Sequence, residues 1–225
     1  MNELAEFDNK LLNGLDFCER ADALLKAMHK QAEGRSALRR RKRGPKKLVE
    51  ELIPICKYIE KHYSCSRKIE VRWKDGNQKY DAAIIQTGFD VDRGLYPNEA
   101  FIEVTCVEHP KAYLQRELID TEGWSFSVES LKRGEDRTIE SVPTCRSGLA
   151  FVDDFSQMVI DRIREKEDKS YPKNTYLIVC CHTQTGYHEY EWERLENQVR
   201  NNLSSSRFEE IFVYDSLCGF SFSLP

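Results

Sequence analysis

Six consecutive residues, Tyr176-Leu177-Ile178-Val179-Cys180-Cys181, are apolar without interruption. A strand with one wet face alternates; a run this uniform has to be covered on both sides, the situation of an inner strand in a parallel or mixed sheet with helices above and below. Phe101-Ile102-Glu103-Val104-Thr105-Cys106-Val107 reads as a second such strand with a carboxylate inside it. The chain therefore has to supply helices for two faces, and its periodicity does so.

Residues 3–32 carry Leu4, Phe7, Leu11, Leu15, Cys18, Ala21, Leu25, Met28 and Ala32 at steps of three or four, which predicts a long helix, weakened at Gly14 and ended by Gly34. Gly44-Pro45 opens a second helix over about 46–63, with Leu48, Leu52, Ile55, Cys56 and Ile59 on one face. Ile69–Trp73 and Tyr80–Gln86 alternate around a turn at 75–77, as antiparallel partners do. A loop over 87–99 leads to the Phe101–Val107 strand, and Pro110 starts a helix to about Ile119. Residues 120–146 are polar and irregular, an inserted hairpin or flap. Helices over Leu149–Glu167 and Tyr190–Leu203 bracket the apolar run, and strands at Phe208–Asp215 and about 220–224 close the chain. This order predicts an α/β fold, a mixed central sheet flanked by helices. It divides into an N-terminal helix (1–34), a basic hinge (35–45) and an α/β domain (46–225).

With 225 residues, 40% apolar and 32% charged, the chain can bury a sizeable core. No run approaches the roughly 20 apolar residues of a membrane span. The acidic start, Met1-Asn2-Glu3-Leu4-Ala5-Glu6, lacks an export signal, so a cytoplasmic protein with reduced cysteines is expected. The net charge of −4 hides a basic segment: Arg35, Arg39, Arg40, Arg41, Lys42, Arg43, Lys46 and Lys47, with no acid among them. The rest of the chain is correspondingly acidic. Such a segment can clamp phosphates regardless of base sequence, or be a solvated linker. The apolar stripe ahead of it can bury itself on the body or pair two copies as a homodimer.

Two carboxylates mark the candidate site, Asp81 opening one strand and Glu103 inside the next. Two acids on neighbouring strands can share one hard cation, as metal-dependent phosphodiester cleavage requires. These residues in this element order resemble the PD-(D/E)XK restriction-endonuclease-like superfamily over roughly 46–225. The resemblance implies magnesium, or manganese, held by Asp81, Glu103 and the Val104 carbonyl, with Glu50 or Glu51 adding a helix carboxylate. Its substrate would be nucleic acid, DNA favoured. Tyr80 replaces the family's proline, and Thr105 replaces the lysine that handles the attacking water. Lys111 on the next helix, with Gln115 and Arg116 beside it, or the metal by itself, would then serve instead. The competing expectation is an inactive copy of the fold that binds nucleic acid or assembles with protein.

Other chemistries have weaker sequence support. Cys180, Cys181, His182 and His188 invite zinc, but adjacent cysteines on a strand point to opposite faces and no paired Cys-x-x-Cys is present. A Gly-x-x-x-x-Gly-Lys-Ser/Thr phosphate loop does not occur. Trp124 and Phe126 stand in a polar setting, either beneath a flap or as a partner-facing patch.

Overall fold

The computed structural model describes residues 4–142, 144, 147–183, 185–203 and 205–225. Its centre is the apolar run, β7 (Thr175–His182), with every residue but His182 buried. β7 lies parallel to β4 (Glu99–Glu108) on one side and β8 (Glu210–Asp215) on the other. Parallel neighbours need crossovers. Between β4 and β7 run α6 (Ala112–Glu122), a small hairpin of β5 (Leu131–Arg133) and β6 (Ile139–Ser141), and α7 (Gly148–Glu167); α8 (Glu189–Asn202) links β7 to β8. The hairpin falls within the segment expected as an insertion.

Antiparallel strands complete the sheet: β1 (Leu11–Asn13), β2 (Lys68–Trp73) and β3 (Ala82–Thr87) beyond β4, and β9 (Ser221–Leu224) beyond β8. The order is β1-β2-β3-β4-β7-β8-β9, a mixed seven-stranded sheet. The expected loop 87–99 contains one helical turn, α5 (Phe89–Asp92).

Strand alternation divides the interior into two cores. One holds Ile102, Val104, Ile178 and Phe212 under α1 (Gly14–Lys30) and α4 (Ile53–His62). The other holds Leu177, Val179, Cys181 and Val213 under α7 and α8, through Val159, Ile163, Leu195 and Val199.

The N-terminal region departs from the expected single helix. β1 joins the sheet edge, α1 begins only at Gly14, and α2 (Ala32–Arg39) follows a break at Gln31. Asn13 forces the start by accepting the Leu15 N–H at 2.9 Å. Gly14 is required there, since a Cβ would lie 2.7 Å from the Ile69 carbonyl oxygen. Of the stripe expected either to bury itself on the body or to pair two copies, Leu4, Phe7, Ala21 and Met28 are buried in the chain's own core, whereas Leu11, Leu15 and Ala32 are exposed. The basic segment expected as a hinge is mostly helical. It continues through α2 and α3 (Arg43–Lys47), with Arg41 at φ 51° where they join.

α3 runs into a π turn (Leu48–Leu52) before α4. Pro54 explains it: proline has no N–H to give the Glu50 carbonyl four residues back, and its ring would clash there. The Cys106 thiol donates to that carbonyl at 3.7 Å instead. No helix among the described residues is long and apolar enough to cross a membrane.

Candidate metal centre

β3 pairs with β4 only as far as Ala82 opposite Ile102, while β4 runs on to Glu108. Past Ile102 that edge of β4 would lack hydrogen-bond partners, and Asp81 meets the need. Its N–H donates to the Ile102 carbonyl at 2.8 Å, and its carboxylate accepts the Val104 N–H at 2.7 Å. Asp81 thus brackets Glu103. A strand residue presents its N–H and C=O to the same neighbour, so the Val104 carbonyl also faces the Asp81 side.

Glu103 is buried, and its Oε1 accepts from Lys166 Nζ at 2.5 Å and from the Tyr171 hydroxyl at 3.2 Å. Lys166 occupies the last turn of α7. On the other face of the sheet, Glu51 in the π turn accepts the Trp73 indole N–H at 2.9 Å. Lys47 lies 3.9 Å from Glu51 and 2.5 Å from Asp75. The Asp81–Glu103 pair therefore has Lys166 on one side and the Glu51–Lys47–Asp75 group on the other.

The electrostatics follow from this crowding. Burial, then the charge of Glu103, pushes the Asp81 carboxyl up to about 7; the Val104 N–H and Lys166 pull the other way. Burial likewise raises Glu51 above the usual carboxylate range, against its Trp73 hydrogen bond and Lys47. Burial and the Glu103 charge raise the Tyr171 phenol, which stays a donor. Burial alone would lower Lys47, but the Asp75 hydrogen bond and the charges of Glu51, Asp75 and Asp81 outweigh it. These are hard oxygen donors with negative charge in excess at Asp81, and a hard divalent cation is the ligand class that relieves such a set.

Several expected roles fall elsewhere. Lys111 is not at the site: its Nζ donates to the Glu129 carbonyl at 3.1 Å, beyond the far end of β4. Arg116 is held by Glu108, and Gln115 donates to the Phe126 carbonyl. Thr105 is buried on the Glu103 face of β4. Of the two helix acids, Glu51 bears on Asp81, whereas Glu50 sits 3.8 Å from both Arg41 and Lys46.

The basic segment is mostly engaged at home. Arg39 and Arg40 grip Asp120 at 3.1 and 2.8 Å, and Ser36 donates to the same carboxylate at 2.9 Å. Arg35 donates to the His29 carbonyl, and Lys42 and Lys46 are exposed. The side chain of Arg43 lies outside the described residues. Trp124 and Phe126 are exposed and packed edge to face, ring centroids 4.8 Å apart.

Lys166 and Tyr171 are the site residues that sequence reasoning missed. A signal for Lys166 existed: Val152, Phe155, Val159 and Ile163 run inward along α7, and the next step of three lands a lysine on that stripe. Among the described residues, the potential ligand atoms gathered within 4.8 Å of one another in a group of three are those of Cys106, Cys180 and His182, not the carboxylates. Compared with protein-family models, curated proteins and solved structures, the chain matches none.

Proposed function

We propose that the protein is a magnesium-dependent phosphodiester hydrolase of PD-(D/E)XK-like architecture acting on nucleic acid, DNA favoured. One observation carries the reading: Asp81 brackets Glu103 on the neighbouring strand, and Glu103 is in contact with a lysine. Asp81, Glu103 and the Val104 carbonyl would hold magnesium or manganese, with Glu51 in support. The ion would supply Lewis acidity and charge stabilisation at the phosphoryl group.

The chain's own residues do the rest. Lys166 takes the place left by Thr105: its ammonium, fixed on Glu103, is the positive charge available to orient water and stabilise a developing anion. Tyr171 holds the same carboxylate by donation and limits its rotation. Asp81, anchored by two backbone hydrogen bonds, keeps one geometry whether or not it is ionised. The exposed Lys42 and Lys46 offer charge for substrate phosphates.

Plasmid incubated with magnesium or manganese tests this. Asp81→Ala, Glu103→Ala and Lys166→Ala should each lower cleavage at least about a hundredfold. Cleavage that persists in Glu103→Ala overturns the assignment. The Lys166–Glu103 ion pair favours a second reading, an inactive fold in which the ammonium stands in for the cation. Calorimetry decides between them: that reading requires no manganese heat in the parent protein, and heat reappearing in Lys166→Ala.

A further inference from the structure

Cys106 and Cys180 are register partners on the parallel strands β4 and β7, and His182 lies two residues beyond Cys180 on the same face. Their Sγ, Sγ and ring nitrogen atoms lie within 4.8 Å of one another. Cys180 Sγ is 3.6 Å from His182 Nε2. Bond lengths of about 2.3 Å to sulfur and 2.05 Å to nitrogen put the S···N edge of a tetrahedral zinc site at about 3.6 Å and its S···S edge at about 3.8 Å. The Cys180–His182 edge already has that spacing, and the Cys106 thiol lies within 4.8 Å of both of its partners.

The histidine is also oriented as a ligand. Arg41 Nη2 lies 3.4 Å from Nε2, and a guanidinium only donates, so Nε2 carries the lone pair. Nδ1 then carries the proton and donates to Ser216 Oγ at 3.0 Å, the outer hydrogen bond that fixes ring and tautomer in metal-ligating histidines. Cys180 and His182 line a cleft of about 760 Å³ together with Arg41, Tyr214 and Ser216, so a fourth position is open to solvent or a small ligand.

We propose that Cys106, Cys180 and His182 form a binding site for a zinc-class cation, with three protein ligands and a fourth position facing this cleft. The site is separate from the carboxylates: Cys106 is about 10 Å along β4 from Glu103 and turned to the opposite face of the sheet. Zinc binding releases the two thiol protons to solvent and leaves a complex of two thiolates and one dication. Arg41 gives up Nε2 and retains Glu50, 3.8 Å away.

The reduced full-length protein, titrated with cobalt as a spectroscopic stand-in for zinc, should show a thiolate-to-cobalt charge-transfer band saturating at one equivalent and displaced by zinc. Cys106→Ser, Cys180→Ser and His182→Gln should each weaken binding at least about a hundredfold, and Ser216→Ala about tenfold. Cys181→Ser, buried in the other core, should retain the band, as should Asp81→Ala. Absence of a thiolate band in the parent protein overturns the proposal. So does a band that survives in Cys180→Ser, or one that disappears in a folded Cys181→Ser. Should Cys106→Ser fail to fold, Ser216→Ala and the parent titration carry the test.

Discussion

Replacing Asp81 by Asn should make the metal-free protein more stable at neutral and alkaline pH. The carboxyl titrates near 3.8 when free and near 7 in the fold, where burial and Glu103 oppose its charge. Because its folded value is the higher one, the stability it lends is fully present below about pH 4 and is lost as pH rises through about 7. At 1.36 kcal/mol per unit the whole loss is about 4 kcal/mol, of which about 3 kcal/mol falls between pH 5 and pH 8. Asparagine keeps the shape and an oxygen for the Val104 N–H, so the variant escapes the ionisation cost without losing the bracket around Glu103. Urea unfolding in the presence of a chelator, at about pH 5 and about pH 8, measures it. The parent should lose about 3 kcal/mol more than Asp81→Asn over that interval. Magnesium added at the higher pH should restore part of the parent's stability and none of the variant's. Parallel losses in the two proteins would refute the argument, because the strain at Asp81 would then be absent.

Two further outcomes test how the N-terminal helices are held. Gly14→Ala should cost about 1–3 kcal/mol in unfolding free energy, since its methyl would press on the Ile69 backbone and Ile59; an unchanged melting temperature contradicts the close approach. Asp120→Ala frees Arg39, Arg40 and Ser36 together. Limited trypsin digestion should then cut in the 39–43 region several times faster, and an unaltered rate would show that the clasp does not restrain it.

Strands were legible because their signals are local. The apolar run marks β7, the alternation around residues 75–77 marks the β2–β3 hairpin, and together they bring Asp81 beside Glu103. What stayed hidden was set by distant partners. Lys111 is near Glu103 in sequence, yet β4 carries the chain away from the site, while Lys166, 63 positions on, returns to it along α7. The basic segment reads as a phosphate clamp or a solvated linker because Asp120, which neutralises two of its arginines, lies about 80 residues later. Cys180 and Cys181 face opposite cores, as their adjacency in sequence implies, whereas Cys106 comes alongside Cys180 only through the parallel register. In the sequence Gly14 marks a weak point in a helix; that it marks the start follows only from the sheet edge beside it.

The sheet separates two independent cores, and the carboxylate centre draws on both: Glu51 arrives with the layer of α1 and α4, Lys166 with that of α7 and α8. Neither half can assemble the centre while the other is loose. A ligand captured there would consequently tie the two layers into one cooperative unit, protecting amides on both sides of the sheet from hydrogen exchange at once.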